Sequence, residues 1–351
     1  MGKARESQVT EAAAAVAVTG AAAVGGKLAK DKLSERRAQE RARAYRLRRD
    51  EFVPDGLRRI ARGQLDQGVE ELDGQPNRKL DEAVHESRKR LKRLRALLRI
   101  ERGAIGDDVY RRENTAFRDL GRRLSGPRDA AVLIETLDEL TERFGDELPA
   151  ENVAPLRDLL EQDHKHAVAR LRRDKATLED VSGALGEARV RSAAWQLRSD
   201  GFDALSPGLR RIYRRGRRAM RAAARQPSTE HMHEWRKRAK DLWHATQIVR
   251  PASPKRMKAL AKQAHQLSDL LGDDHDLAVL RERVAKAGVA FERPSTKAAL
   301  LAAIDRRRAA LQREALELGA KLYDRPPKRF VGAIERRWRK RTARRPEPVA
   351  G

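Results

Sequence analysis

Residues 84–99 read VHESRKRLKRLRALLR, and their periodicity decides the fold. Val84, Ser87, Leu91, Leu94 and Leu98 recur at alternating spacings of three and four. That is the seam of an amphipathic helix packed against partner helices. One position along, His85, Arg88, Lys92, Arg95 and Arg99 form a cationic stripe, which Lys89 and Arg93 widen on the solvent side. Like charges at i,i+4 cost about 0.2–0.5 kcal/mol per pair in an isolated helix. Only Glu86 answers them here, although other stretches of the chain interleave Glu. A stripe left uncompensated beside a packing seam implies a polyanionic partner.

The stretch recurs at residues 233–249 as HEWRKRAKDLWHATQIV. Met232, Trp235, Ala239, Leu242 and Thr246 take the seam register, His233, Arg236 and Lys240 stand one step over, and Trp243 replaces Arg95. Upstream, Gly56-Leu57-Arg58-Arg59-Ile60 is matched by Gly208-Leu209-Arg210-Arg211-Ile212. Downstream, Pro127-Arg128-Asp129-Ala130-Ala131-Val132-Leu133 answers Asp274-His275-Asp276-Leu277-Ala278-Val279-Leu280. Landmarks in the same order at a nearly constant offset read as an internal repeat.

The pattern H-x-x-R-K-x-x-K in both halves, followed by the turn-like Leu271-Gly272-Asp273-Asp274-His275-Asp276-Leu277-Ala278-Val279, resembles the CHAD domain (conserved histidine α-helical domain). The first copy of that turn is degenerate, with Ser125 at the glycine position. The resemblance spans about residues 52–340. It implies an all-α protein of two pseudo-symmetric four-helix bundles whose shared basic face binds inorganic polyphosphate. Residues 1–51 are then an Ala-rich and basic extension, 52–180 repeat one, 181–207 a connector, 208–340 repeat two, and 341–351 a disordered tail.

The charge agrees with a polyanion. Lys and Arg number 78 against 52 Asp and Glu, a net charge of +26. That demands nucleic acid, anionic membrane or polyphosphate as partner class. Aromatics are only 4%, and base stacking needs them, which tilts the choice toward a ligand seen as phosphates. Non-specific nucleic-acid binding needs no base contacts and stays the main alternative. With no cysteine, disulfides, thiolate chemistry and Cys-ligated zinc are excluded. Ala12 to Gly26 is too short and too rich in Gly and Ala for a membrane span. Glu6 and Glu11 spoil a signal peptide's basic region. A cytoplasmic location, at polyphosphate granules, is the expectation.

Taken in order, the basic segment after Gly26 reads as a solvated arm or a phosphate-binding tail, and the Ala-rich run before it as a contact with a granule or membrane surface. Helices are expected from Phe52 to Leu72, Leu80 to Glu101 (stopped at Gly103), and Asp108 to Leu124. Ser125-Gly126-Pro127 breaks the chain, and Asp129 is expected to cap a helix ending near Phe144. Further helices cover 155–175, 255–271, 276–287, 297–322 and 329–341. No segment alternates like a strand.

The candidate phosphate-binding residues of repeat one are His85, Arg88, Lys89, Lys92 and Arg95, with Arg58, Arg62, Arg118, Arg122 and His166. Those of repeat two are Arg210, Arg214, His233, Arg236, Lys237, Lys240, Lys262 and His265. Arg210, Arg214, Arg217 and Arg221 share one helical face. His85 and His233 invite a phosphotransfer or hydrolysis reading, which gives the second alternative. Such chemistry wants a carboxylate to orient the ring, and Glu86 and Glu234, adjacent in sequence, point elsewhere on a helix. Asp269, Asp273, Asp274, His275 and Asp276 lack calcium-loop spacing and read as structural. No metal, cofactor or catalytic residue is expected.

Overall fold

The computed structural model describes residues 40, 43–73, 80–286, 291 and 294–342. Two compact units divide the chain, Met1–Tyr45 and Arg46–Gly351, and every helix named below lies in the second. The Ala-rich run at 12–26, the turn at 74–77 and the tail beyond Thr342 lie outside the described residues.

Eleven α-helices and no strand occur among the described residues. They are α1 (Val53–Leu72), α2 (Leu80–Ile105), α3 (Asp107–Arg123), α4 (Pro127–Arg143), α5 (Ala150–Arg173) and α6 (Lys175–Ala193). Then come α7 (Ser206–Arg225), α8 (Thr229–Ile248), α9 (Pro254–Lys286), α10 (Pro294–Leu322) and α11 (Pro327–Thr342). The seam read from sequence is the buried face of α2: Val84, Ser87, Leu91, Leu94 and Leu98 are all at most 1% exposed. Each leucine so buried contributes about 1.5–3 kcal/mol. The matching seam of α8, from Met232 through Trp235 and Leu242 to Thr246, is equally buried.

Helix α2 packs on α1, α3, α7 and α8. Close approach of α7 is permitted by Gly208, where any side chain would run into the Ile100 backbone carbonyl. This gives the glycine of the Gly-Leu-Arg-Arg-Ile motif a physical reason. Helix α6, which begins ahead of the expected connector and runs into it, packs on α1 and buries Val181, Leu185 and Ala188. Packing does not follow the sequence halves throughout. Leu137 and Leu140 of α4 and Leu156 and Leu160 of α5 share one core with Leu277, Leu280 and Val284 of α9 and Leu300 and Ile304 of α10.

Several expected boundaries are corrected. Helix α2 runs through Gly103 to Ile105 and stops at Gly106, whose φ of 91° lies in the region glycine favours. The second half of the sequence has no counterpart to the break at Gly126, where φ is 126°. There, α9 passes straight through Gly272 as a helix of 33 residues, so the acidic cluster expected in an inter-helix turn sits on a helix. Asp129 does not cap α4, because Gly126 holds the N-cap position without a side-chain bond.

Candidate functional site

The cationic stripes of α2 and α8 meet in a groove of about 530 Å³, completed by α4 and α9. His85, Arg88 and Lys92 enter from α2, Arg236 and Lys240 from α8, Arg128 and Asp129 from α4, and His275 and Asp276 from α9. Five cations thus face two carboxylates, and the balance is positive.

The shared aspartates hold the arginines in place. Arg88 donates from Nη1 to Asp129 Oδ1 at 3.0 Å. Arg236 Nη2 stands 3.9 Å from Asp276 Oδ1. Each pair crosses between helices and leaves guanidinium donors free, since an arginine carries five. Arg236 Nε is buried without a hydrogen-bond partner.

Crowding shows in the ionisation of the lysines. Burial, then Arg236 and Lys92, push the Lys240 ammonium down to about 7. Burial, then Arg88 and Arg236, push Lys92 down to about 8. Lys92 remains exposed in area, but it lines a concave wall where surrounding protein displaces part of its hydration. An incoming anion would relieve both groups.

The imidazoles are not set up as bases. His85 and His233 are held below the ordinary histidine value, first by burial and then by Lys89 and Lys237 respectively. The His233 ring lies 4.4 Å from that of His275, which burial and Arg236 push down to about 4. Glu86 is taken by Lys89 at 2.6 Å and Glu234 by Lys237 at 2.8 Å and Arg238 at 2.7 Å.

Of the sequence candidates, His85, Arg88, Lys92, Arg236 and Lys240 line the groove together, and His233 adjoins it through His275. The others lie outside its lining. Lys89 and Lys237 turn to their glutamates. Arg58 donates to the Trp195 carbonyl at 2.8 Å, and Arg118 clasps Asp119 with Arg122 3.6 Å away. Arg95 leans toward α3, donating to Asn114 Oδ1 at 3.2 Å. Arg62, His166, Arg210, Arg214 and Lys262 are exposed on α1, α5, α7 and α9. His265 pairs with Asp269 at 2.5 Å, which holds it above the ordinary value, and lies 4.1 Å from the Trp243 ring. Arg128 and His275 are the groove residues that the stripe alone does not reveal. Each immediately precedes one of the two aspartates matched in sequence, Asp129 and Asp276, and that position was the available signal.

A larger cavity of about 710 Å³ opens beside the groove, between α4 and α9. Glu135, Glu139, Glu142, Asp273 and Asp276 line it, and burial with Glu139 and Asp276 pushes Asp273 up to about 6. Arg128, Arg143 and Arg307 share that lining, so carboxylates outnumber arginines there, the reverse of the groove. Among the described residues no helix is long and apolar enough to cross a membrane.

Residues 59–285 match the CHAD domain family. The structure is also similar to PptA from Streptomyces chartreusis, at 14% sequence identity and a TM-score of 0.57, over 77% of this chain and 100% of that one. At that identity the likeness speaks for the fold alone. No curated protein matches the chain.

Proposed function

The chain belongs to the CHAD domain family, and from that premise we propose that its central groove binds inorganic polyphosphate without turning it over. The observation that carries this reading is the convergence of Arg88, Lys92, Arg128, Arg236 and Lys240 from three helices on one concave wall. Charge-assisted hydrogen bonds of arginine and lysine to phosphate contribute about 1.5–3 kcal/mol each, and displaced counterions add entropy. No Phe, Tyr or Trp lines the groove, so a base would find only the His85 and His275 imidazoles and the arginine planes to stack on. A concave cavity suits a thin phosphate chain better than the convex surface of a duplex. Binding without catalysis is the reading that fits neutral imidazoles lacking an orienting carboxylate. A location at polyphosphate granules would follow from the ligand.

The test is calorimetric titration of long-chain polyphosphate into wild type and into the quadruple Arg88→Gln, Lys92→Gln, Arg236→Gln, Lys240→Gln variant. The expected result is loss of roughly tenfold or more per cation removed, with melting preserved. Unchanged affinity in a folded variant would place the ligand elsewhere.

A further inference from the structure

Helix α7 carries no Asp or Glu anywhere along SPGLRRIYRRGRRAMRAAAR, residues 206–225. Its buried face is Leu209, Ile212, Tyr213, Gly216, Ala219 and Ala223. Arg217, read from sequence as part of the basic stripe, is used structurally, donating to the Tyr323 carbonyl at 3.1 Å. Arg214 of that stripe and the arginines one position off it behave differently. Arg211, Arg214, Arg215 and Arg218 line a cleft of about 320 Å³ with no carboxylate in its wall.

An arginine-rich helix ordinarily meets carboxylates from its neighbours. Here it meets few. Among the described residues Arg211, Arg214 and Arg218 form no ion pair, and Arg215 reaches only Glu234, at 3.8 Å. The nearby Asp107 is already engaged by Arg102 through bonds of 2.7 and 3.0 Å. Arg211 Nη1 is buried with no hydrogen-bond partner. A buried donor of a group that cannot discharge is costly when left unpaired, so the Arg211 guanidinium favours an anion beside it.

The cleft is joined to the groove through α2. Arg211 and Arg215 also border a hollow lined by Arg99 and Arg102 of α2, Tyr110 of α3 and Asp241 of α8. Arg99 continues the stripe that places Lys92 in the groove, about 10 Å back along the helix axis at 1.5 Å per residue. Arg95 stands between them, its guanidinium pushed down to about 10 by burial and then Arg99. The path between the sites is cationic but for Asp241, which is already held by Arg99 at 3.2 Å and Arg238 at 2.8 Å.

We propose that the arginine cleft of α7 is a second phosphate-binding site, which takes the part of a long polyphosphate chain that leaves the central groove. This rests on polyphosphate being the groove's ligand. A chain long enough to engage both sites binds the second intramolecularly, so affinity rises steeply with chain length without any new contact in the groove.

The probes are tripolyphosphate and long-chain polyphosphate, titrated into wild type, into Arg211→Gln, Arg215→Gln, Arg218→Gln, and into the matching triple Lys variant. The Gln triple is expected to lose roughly ten- to hundredfold in affinity for the long chain. Its salt slope should flatten by about 2–3, while tripolyphosphate binding in the groove holds. The Lys triple keeps the charge and is expected to retain most of the long-chain affinity. Unchanged long-chain affinity and slope in the Gln triple would overturn the second site while leaving the groove intact. An equal loss for both ligands would overturn it too, since the cleft would then act through fold or general field. If instead the groove quadruple keeps its long-chain affinity, the function proposed for the groove fails rather than the cleft.

Discussion

Polyphosphate affinity should fall as pH rises from 6 to 9, because two groove lysines must take up protons to bind. In the free protein Lys240 ionises near 7 and Lys92 near 8, both depressed by burial and neighbouring cations. At pH 6 both are charged before the ligand arrives; at pH 9 both are neutral and must be recharged in the complex. If a bound phosphate chain restores the ordinary lysine value of about 10.4, Lys240 alone weakens binding about a hundredfold over that interval. Lys92 is more exposed, so its share is at most about tenfold, and the total falls between about 10² and 10³. The groups facing these amines are His85 and Arg88 on α2, Arg128 and Asp129 on α4, Arg236 on α8, and His275 and Asp276 on α9, with Asp269 of α9 acting on Lys240. Of these, His275 already titrates below the interval, near 4, and His85 is held below the ordinary histidine value. Long chains are the right ligand, since their internal phosphates do not titrate and their ends are few. The assay is titration calorimetry at constant ionic strength in buffers of differing ionisation enthalpy, which counts protons directly. Uptake approaching two protons per site near pH 9 is expected, and Lys240→Arg should abolish most of the dependence. Affinity constant from pH 6 to 9 with no proton uptake would refute the crowding on which the argument rests.

Linkage also predicts that the ligand-free protein gains stability with rising pH across the same interval, since the unfolded chain binds more protons there; thermal melts at pH 6 and 9 check the sign. Affinity should drop by about 10³–10⁵ between 50 and 200 mM salt if roughly 6–10 phosphates are engaged, on the duplex-DNA scale; a flat response would dissociate the basic groove from binding. Leu91→Ala and Leu94→Ala empty the fully buried seam and should each cost about 2–5 kcal/mol in chemical denaturation, whereas Lys92→Gln should leave stability unchanged or raised. Purified protein with Mg²⁺ or Mn²⁺ should release no phosphate from polyphosphate in a colorimetric assay; steady release abolished by His85→Ala would make it an enzyme.

The core of the fold was legible because period is a local property. Val84 through Leu98 repeats at helical spacing, and every one of those positions is buried. The groove was legible in part for the same reason, as residues one step off the seam border the packing interface. What failed was inference by analogy between the halves. Ser125-Gly126-Pro127 breaks a helix because Gly126 takes a positive φ and Pro127 starts afresh. Gly272 keeps helical geometry, with the Arg236 guanidinium 3.7 Å from where its Cβ would be. Glycine permits either outcome, and the neighbours decide. Cations were over-assigned for a related reason. Arg58 and Arg118 look available in sequence, yet a backbone carbonyl and an adjacent aspartate occupy them. Arg90 was invisible to the stripe altogether: it lies 1% exposed against Glu71 at 3.1 Å, a buried pair whose disruption would cost about 3–5 kcal/mol.

The central claim is that the groove recognises a chain of phosphates rather than a nucleic acid. Fluorescently labelled long-chain polyphosphate bound to the full chain at fixed salt should be displaced by unlabelled polyphosphate. Duplex DNA or single-stranded RNA at equal phosphate concentration should compete at least tenfold less well. Displacement by DNA or RNA as effective as by polyphosphate itself would contradict the account and make this a non-specific nucleic-acid-binding protein.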